Sequence, residues 1–213
     1  MTRVLVVDDH ALVRAGLRRV LEDQGDVDVI GEAESGEQAL ELVRDQQPDV
    51  ALMDLNMPGM GGMEAIKRLL SHGDGTAVVA ITAHSDRVIP RRVLDSGARA
   101  LVTKDAPVDE LLQAVSKAAR GERYVSSAIA QKMALSGLEG EGGDPFADLS
   151  QREMQVLMMA MEGYNNQAIS EHLCLSPKTV STYRTRLVSK LGVNNDIELM
   201  RLAIRHGLIE GVS

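Results

Sequence analysis

The chain has 213 residues, enough for two compact domains and too few for three. Its 44% hydrophobic and 25% charged residues are those of an ordinary globular protein, and no apolar run approaches the roughly 20 residues that cross a bilayer. The net charge of -8 argues against nucleic acid only if it is spread evenly, and it is not: residues 1–122 hold 14 Lys/Arg against 21 Asp/Glu, whereas residues 144–213 hold 7 against 8.

Taken in order, the chain meets carboxylates at Asp8-Asp9 before any signal-peptide core develops, so export is not expected. Through residue 120, short β-branched runs alternate with amphipathic stretches. The runs are Val4–Val7, Val27–Ile30, Val50–Met53, Val78–Ile81 and Ala98–Val102. Most are continuously apolar, as strands buried on both faces of a parallel sheet are. Between them Ala11–Asp23, Glu37–Arg44, Met63–Leu70, Val88–Ser96 and Val108–Arg120 carry helical spacing. Five βα units with right-handed crossovers predict an α/β fold, a doubly wound five-stranded parallel sheet over residues 1–121. Its functional crevice lies beyond the carboxyl ends of the strands.

Residues 122–145 read as a linker. Arg123–Leu135 can extend a helix, and Gly137, Gly140, Gly142, Gly143 and Pro145 follow amid acidic residues. Residues 146–213 carry only helical patterns. Ser150 with Glu153 forms a capping box, and Ser176-Pro177 gives an N-cap with proline at the first helical position. A helix over Gln151–Met161, a break at Gly163, a short helix over Gln167–Leu173, a turn at Cys174-Leu175-Ser176 and a longer helix over Pro177–Leu191 make a helix-turn-helix. The single Cys174 has no Cys or His set at zinc spacing and reads as a reduced, buried thiol.

Two constellations carry chemistry. The predicted strand ends bring Asp8, Asp9, Asp54, Thr82 and Lys104 to one crevice, where clustered carboxylates call for a hard divalent cation such as Mg²⁺. Asp54 then serves as a carboxylate nucleophile toward a phosphodonor, with Thr82 and Lys104 cradling the phosphoryl group. His10 and His84 pair with no Ser or Cys nucleophile and read as bystanders. On the Pro177–Leu191 helix, Val180, Tyr183, Leu187 and Leu191 form an inward stripe. Lys178, Thr179, Ser181, Thr182, Arg184, Thr185, Arg186 and Lys190 are the candidate DNA contacts, and residues 176–191 contain no acid. Short hydroxyls suit base edges and long cations suit phosphates.

The runs Val6-Val7-Asp8-Asp9-His10, Leu52-Met53-Asp54-Leu55-Asn56-Met57-Pro58, Ile81-Thr82-Ala83 and Thr103-Lys104 resemble the signature of response-regulator receivers, which are flavodoxin/CheY-like. Leu149-Ser150-Gln151-Arg152-Glu153-Met154 and Ile169–Val180 resemble the output domain of the LuxR/FixJ/NarL type, and the whole chain is most similar to the GacA/UvrY subgroup. The resemblance implies Mg²⁺ held by Asp8, Asp9, Asp54 and the carbonyl of Asn56. It implies a cytoplasmic transcription regulator, phosphorylated by a hybrid sensor histidine kinase or its phosphotransfer domain. Such a regulator dimerises on an inverted repeat, works with RNA polymerase and activates small regulatory RNA genes. At the position where receivers often carry a rotating Tyr or Phe, this chain has Leu101. Two other functions compete on the residues alone. A small-molecule phosphatase or phosphotransferase needs a substrate pocket that the short strand-end loops do not build, and a protein-interaction module leaves the acid-free helix unexplained.

Overall fold

A computed structural model describes residues 1–23, 25–73, 75–82, 88–138, 145, 146, 148–206 and 208, in two compact units, the first ending at Met133 and the second starting at Ala134. The glycines Gly140, Gly142 and Gly143, and also His84, lie outside the described residues.

In the first unit the strands β1 (Thr2–Val7), β2 (Val27–Ala33), β3 (Val50–Asp54), β4 (Ala77–Thr82) and β5 (Ala100–Thr103) alternate with helices α1 (Ala11–Glu22), α2 (Gly36–Gln46), α3 (Gly62–His72), α4 (Val88–Asp95) and α5 (Val108–Ala119). All pair in parallel in the order β2-β1-β3-β4-β5. The five expected strands are therefore present, and a two-residue β6 (Tyr124–Val125) adds a sixth beside β5. Two residues give no readable periodicity, which is why the sequence reads this stretch as linker. After it, α6 (Ser127–Leu138) begins, and its Ile129 is fully buried with Leu101 and Val93.

Alternation along each strand splits the core in two. Leu5, Val7, Met53 and Leu101 face α2, α3 and α4, while Val4, Val6, Leu52 and Val102 face α1 and α5. Each fully buried Leu or Val side chain contributes roughly 1.5–3 kcal/mol. Because the chain winds in opposite directions from β1 and from β3, these neighbouring strands leave a crevice between their carboxyl ends.

The second unit comprises α7 (Gln151–Met161), α8 (Asn166–His172), α9 (Pro177–Leu191) and α10 (Asp196–Arg205) around Phe146, Leu157, Ile169, Val180, Leu187 and Leu199. Four polar side chains start its helices: Ser150 in the expected capping box, Asn165, Ser176 and Asn195. Gly192, at φ 64°, ends α9 in the left-handed conformation that glycine adopts without strain. Cys174 corrects an expectation. It is exposed, at φ 52°, because the turn between α8 and α9 projects it outward instead of into the core.

Candidate functional site

The acid crevice assembles at the switch point. Asp54 is the last residue of β3 and Asp8 follows β1, and both side chains are almost fully buried. Lys104, one residue past β5, is brought in when its backbone N–H donates to the Thr82 carbonyl at 2.8 Å. Its ammonium donates to Asp8 Oδ2 at 2.9 Å and to Asp54 Oδ2 at 2.7 Å, bridging the two carboxylates. Thr82 closes β4, opposite Thr103, and is buried.

Electrostatics follow from this packing. Burial raises the Asp54 carboxyl to about 6, against the opposing pull of the Lys104 ammonium and of the Asn56 N–H that donates to Oδ1 at 3.0 Å. Burial by itself would lower Lys104, but the bonds to Asp54 and Asp8 prevail and its affinity for the proton is raised. The crevice thus holds a charged lysine between two acids that repel one another.

The loop after Asp54 depends on close backbone approach. A Cβ on Gly62 would stand 2.0 Å from the Asp54 carbonyl oxygen and 2.7 Å from Leu55 Cα, so α3 can begin there only with glycine. Glu37 on α2 accepts from the Met60 N–H at 3.1 Å and ties down the same loop. Sequence reading missed Glu37, because its partner is 23 residues away.

Asp9 and His10 lie on the outer side of the crevice. Ligand atoms of Asp8, Asp9 and His10 all fall within 4.8 Å of one another. Asp9 Oδ1 is buried and makes no hydrogen bond, although His10 Nδ1 stands 2.9 Å away. A buried orphan oxygen among carboxylates is the donor set a hard cation uses, so the residues present fit one. Asn56 is exposed, and what it gives Asp54 here is its N–H.

On α9 the eight candidate DNA residues divide. Lys178, Ser181, Thr182, Thr185 and Arg186 are exposed. Thr182 and Thr185 donate their hydroxyls to the carbonyls of Lys178 and Ser181, leaving oxygen lone pairs to accept from base amino groups. Thr179 is half-buried, with its Oγ1 2.8 Å from Ser176 Oγ at the cap. Arg184 donates to Asn166 Oδ1 at 2.9 Å and Asp196 Oδ2 at 2.6 Å, bracing α9 against α8 and α10. Lys190 donates to the Asp148 carbonyl at 3.0 Å and to Glu153 Oε2 at 2.7 Å, joining α9 to the start of α7. Glu153 is desolvated, yet Lys190 and the Ser150 groups hold its carboxyl below the usual range.

Residues 4–116 match the response regulator receiver domain, and residues 147–203 match the luxR family of bacterial regulatory proteins. The chain belongs to the response regulators that join a receiver to a DNA-binding regulatory domain, and its function is that of a transcription regulator, not of an enzyme. It is 44% identical to the response regulator GacA of Pseudomonas aeruginosa over 214 residues, with 100% of both proteins covered. To the response regulator UvrY of Escherichia coli K12 it is 46% identical, over 98% of this chain and 96% of the relative. Among solved structures, RcsB from Salmonella enterica serovar Typhimurium, bound to promoter rprA in the presence of the phosphomimetic BeF3-, superimposes with a TM-score of 0.68 at 28% identity, covering 94% of this chain and 97% of that one. Another holds two RcsB dimers bound to two parallel DNAs, with a TM-score of 0.60 at 27% identity over 94% and 96%.

Proposed function

We propose that Asp54 accepts a phosphoryl group from a phosphohistidine on a hybrid sensor kinase or its phosphotransfer domain, and that this switches the second unit's binding to DNA. The observation that carries the reading is the buried Asp54 carboxylate with Lys104 Nζ 2.7 Å from it. The Asp54 oxygen attacks phosphorus, the P–O bond forms as the P–N bond to imidazole breaks, and the imidazole leaves with the electron pair and takes up a proton. Lys104 exchanges its bond to Asp54 for one to a phosphoryl oxygen, and the Thr82 hydroxyl bonds another. Mg²⁺, when held by Asp8, Asp9, Asp54 and the Asn56 carbonyl, neutralises charge on the transferring oxygens.

Leu101 is fully buried in the core facing α2, α3 and α4, which supports a switch made by the loops after β4 and β5 rather than by a turning side chain. On DNA, Ser181, Thr182 and Thr185 read base edges, Lys178 and Arg186 meet phosphates, and Arg184 and Lys190 hold the helix in place through their braces. An inverted repeat calls for a two-fold dimer, and the exposed stripe Ile197, Met200 and Ile204 on α10 supports one in the phosphorylated form. No described helix is long and apolar enough to cross a membrane, in keeping with a cytoplasmic regulator that works with RNA polymerase. Similarity to GacA and UvrY supports activation of small regulatory RNA genes. The test is footprinting of wild type and Asp54→Asn with and without acetyl phosphate: enhanced protection in wild type alone supports the switch, and equal protection in all four samples overturns it.

A further inference from the structure

We propose that the start of α6 is a two-position latch: Glu110 of α5 caps it at rest, and Ser126 takes over the cap when the loop carrying Lys104 moves. This rests on the reading of Asp54 as phospho-acceptor and names the contact that passes the change on toward the second unit. The first turn of α6, Ser127-Ala128-Ile129-Ala130, carries no acid of its own to face its unpaired N–H groups. Glu110 supplies one from another helix: its carboxylate accepts from the Ser127 N–H at 3.2 Å and from the Ser127 hydroxyl. The loop that follows Lys104 runs into the first turn of α5, where the Glu110 N–H donates to the Pro107 carbonyl at 2.9 Å. A shift of Lys104 toward a phosphoryl group therefore pulls on the carboxylate that holds α6.

Ser126 is the second position. It stands where an N-cap residue stands, since its carbonyl accepts from the Ala130 N–H at 2.9 Å and opens the helix. At the same position of other helices Ser35, Ser150, Asn165, Ser176 and Asn195 each accept, through the side chain, from the N–H three residues on. Ser126 does not: its Oγ is buried and has no hydrogen-bond partner among the described residues. An unpaired buried hydroxyl is a standing cost, which rotation about one bond to accept from the Ile129 N–H would remove. The Ile129 side chain is fully buried with Leu101 and Val93, and the Ser126 N–H donates to the Leu101 carbonyl at 3.0 Å. These two contacts keep the first turn seated beside β5 whichever cap is in use. The exchange thus alters the hold on α6 without unfolding it, and α6 runs on past Met133 into the second unit.

The test uses the full chain as wild type, Glu110→Gln and Ser126→Ala, with and without acetyl phosphate and MgCl₂. It reads amide exchange by NMR and affinity for a duplex selected from a random pool by phosphorylated wild type. In wild type, phosphorylation should speed exchange of the Ser127 N–H and slow that of the Ile129 N–H, each by at least about threefold. Glu110→Gln should still take the label and should raise the DNA affinity of the unphosphorylated chain about threefold to tenfold. Ser126→Ala should not lower the melting temperature, because it removes an unpaired hydroxyl, yet its gain in affinity on phosphorylation should fall about threefold to tenfold. Resting affinity and gain both within about twofold of wild type in the two variants overturn the latch, as do Ser127 and Ile129 exchange rates that labelling leaves unchanged. A lowered melting temperature of Ser126→Ala also overturns it, since Ser126 is then an ordinary cap already in use. Should wild type take no label, or gain no DNA affinity with it, the phospho-acceptor reading fails and the latch with it.

Discussion

At the scale of single residues, the acid crevice stores its chemistry as unfavourable burial. Asp54 is held at about 6, above its ordinary 3.8, so the folded state binds that proton more tightly than the unfolded chain does. The resulting stability is complete below the ordinary value and is lost as pH rises through 6. Relative to Asp54→Asn, wild type without metal should therefore weaken between pH 4 and pH 7, by about 1–3 kcal/mol, measured by urea unfolding in chelator. Mg²⁺ should restore stability at pH 7 and much less at pH 5, where the acid is largely protonated. A stability difference that does not vary with pH would show that Asp54 ionises without strain. The same substitution should abolish retained phosphoryl label, and undiminished labelling would place the acceptor elsewhere.

At the scale of elements, two joints decide whether the sites exist. The first is the start of α3 against the end of β3. Gly62→Ala places a methyl group on rigid backbone rather than against a movable side chain, so it should destabilise the first unit by about 2–4 kcal/mol and reduce phosphorylation of what still folds. The second is the seating of α9. Lys190→Ala removes the partner of buried Glu153, and after allowance for the solvent around Lys190 it should destabilise the second unit by about 1–2 kcal/mol. Since the Glu153 carboxyl is depressed, its contribution is present above the ordinary carboxylate value and fades as pH falls. Arg186→Ala and Lys178→Ala should leave the melting temperature alone, weaken binding to every DNA and each reduce the salt slope by about one. Ser181→Ala should instead relax sequence preference by about 1–3 kcal/mol. If Lys190→Ala weakens DNA binding without changing stability, Lys190 contacts phosphate and is not a brace.

At the scale of the whole molecule, control requires that one phosphorylated residue change the behaviour of a separate unit. On the proposed reading each helix-turn-helix reads one half-site, so affinity for an inverted repeat depends on pairing two chains. Ile197→Glu, on the exposed stripe of α10, should leave the second unit folded and able to bind an isolated half-site, while cooperative binding to the full repeat is lost. Sedimentation and gel shift on full and half repeats test this, and retained dimerisation would move the interface off α10. The glycines of residues 137–143 lead to one more expectation, that limited proteolysis releases a second unit still competent for DNA.

The sequence by itself determined the order of strands and helices in the first unit, the helix starts at Ser150 and Ser176, and the placing of Asp8, Asp54, Thr82 and Lys104 at the strand ends. These are local or periodic properties: apolar runs, capping side chains and residues that must fall at strand ends. Tertiary structure alone decided the rest, because the deciding partners are distant in sequence. The strand Tyr124–Val125 exists only because β5 offers an open edge, and Ile129 is core only because that strand delivers it. Arg184 and Lys190 look like free cations in an acid-free helix, until α10 brings Asp196 to one and α7 brings Glu153 to the other. Cys174 looks apolar enough to bury, but its place in a left-handed turn exposes it. Spacing along a chain reports which face a residue takes on its own element, whereas charge pairing depends on which other element arrives opposite it.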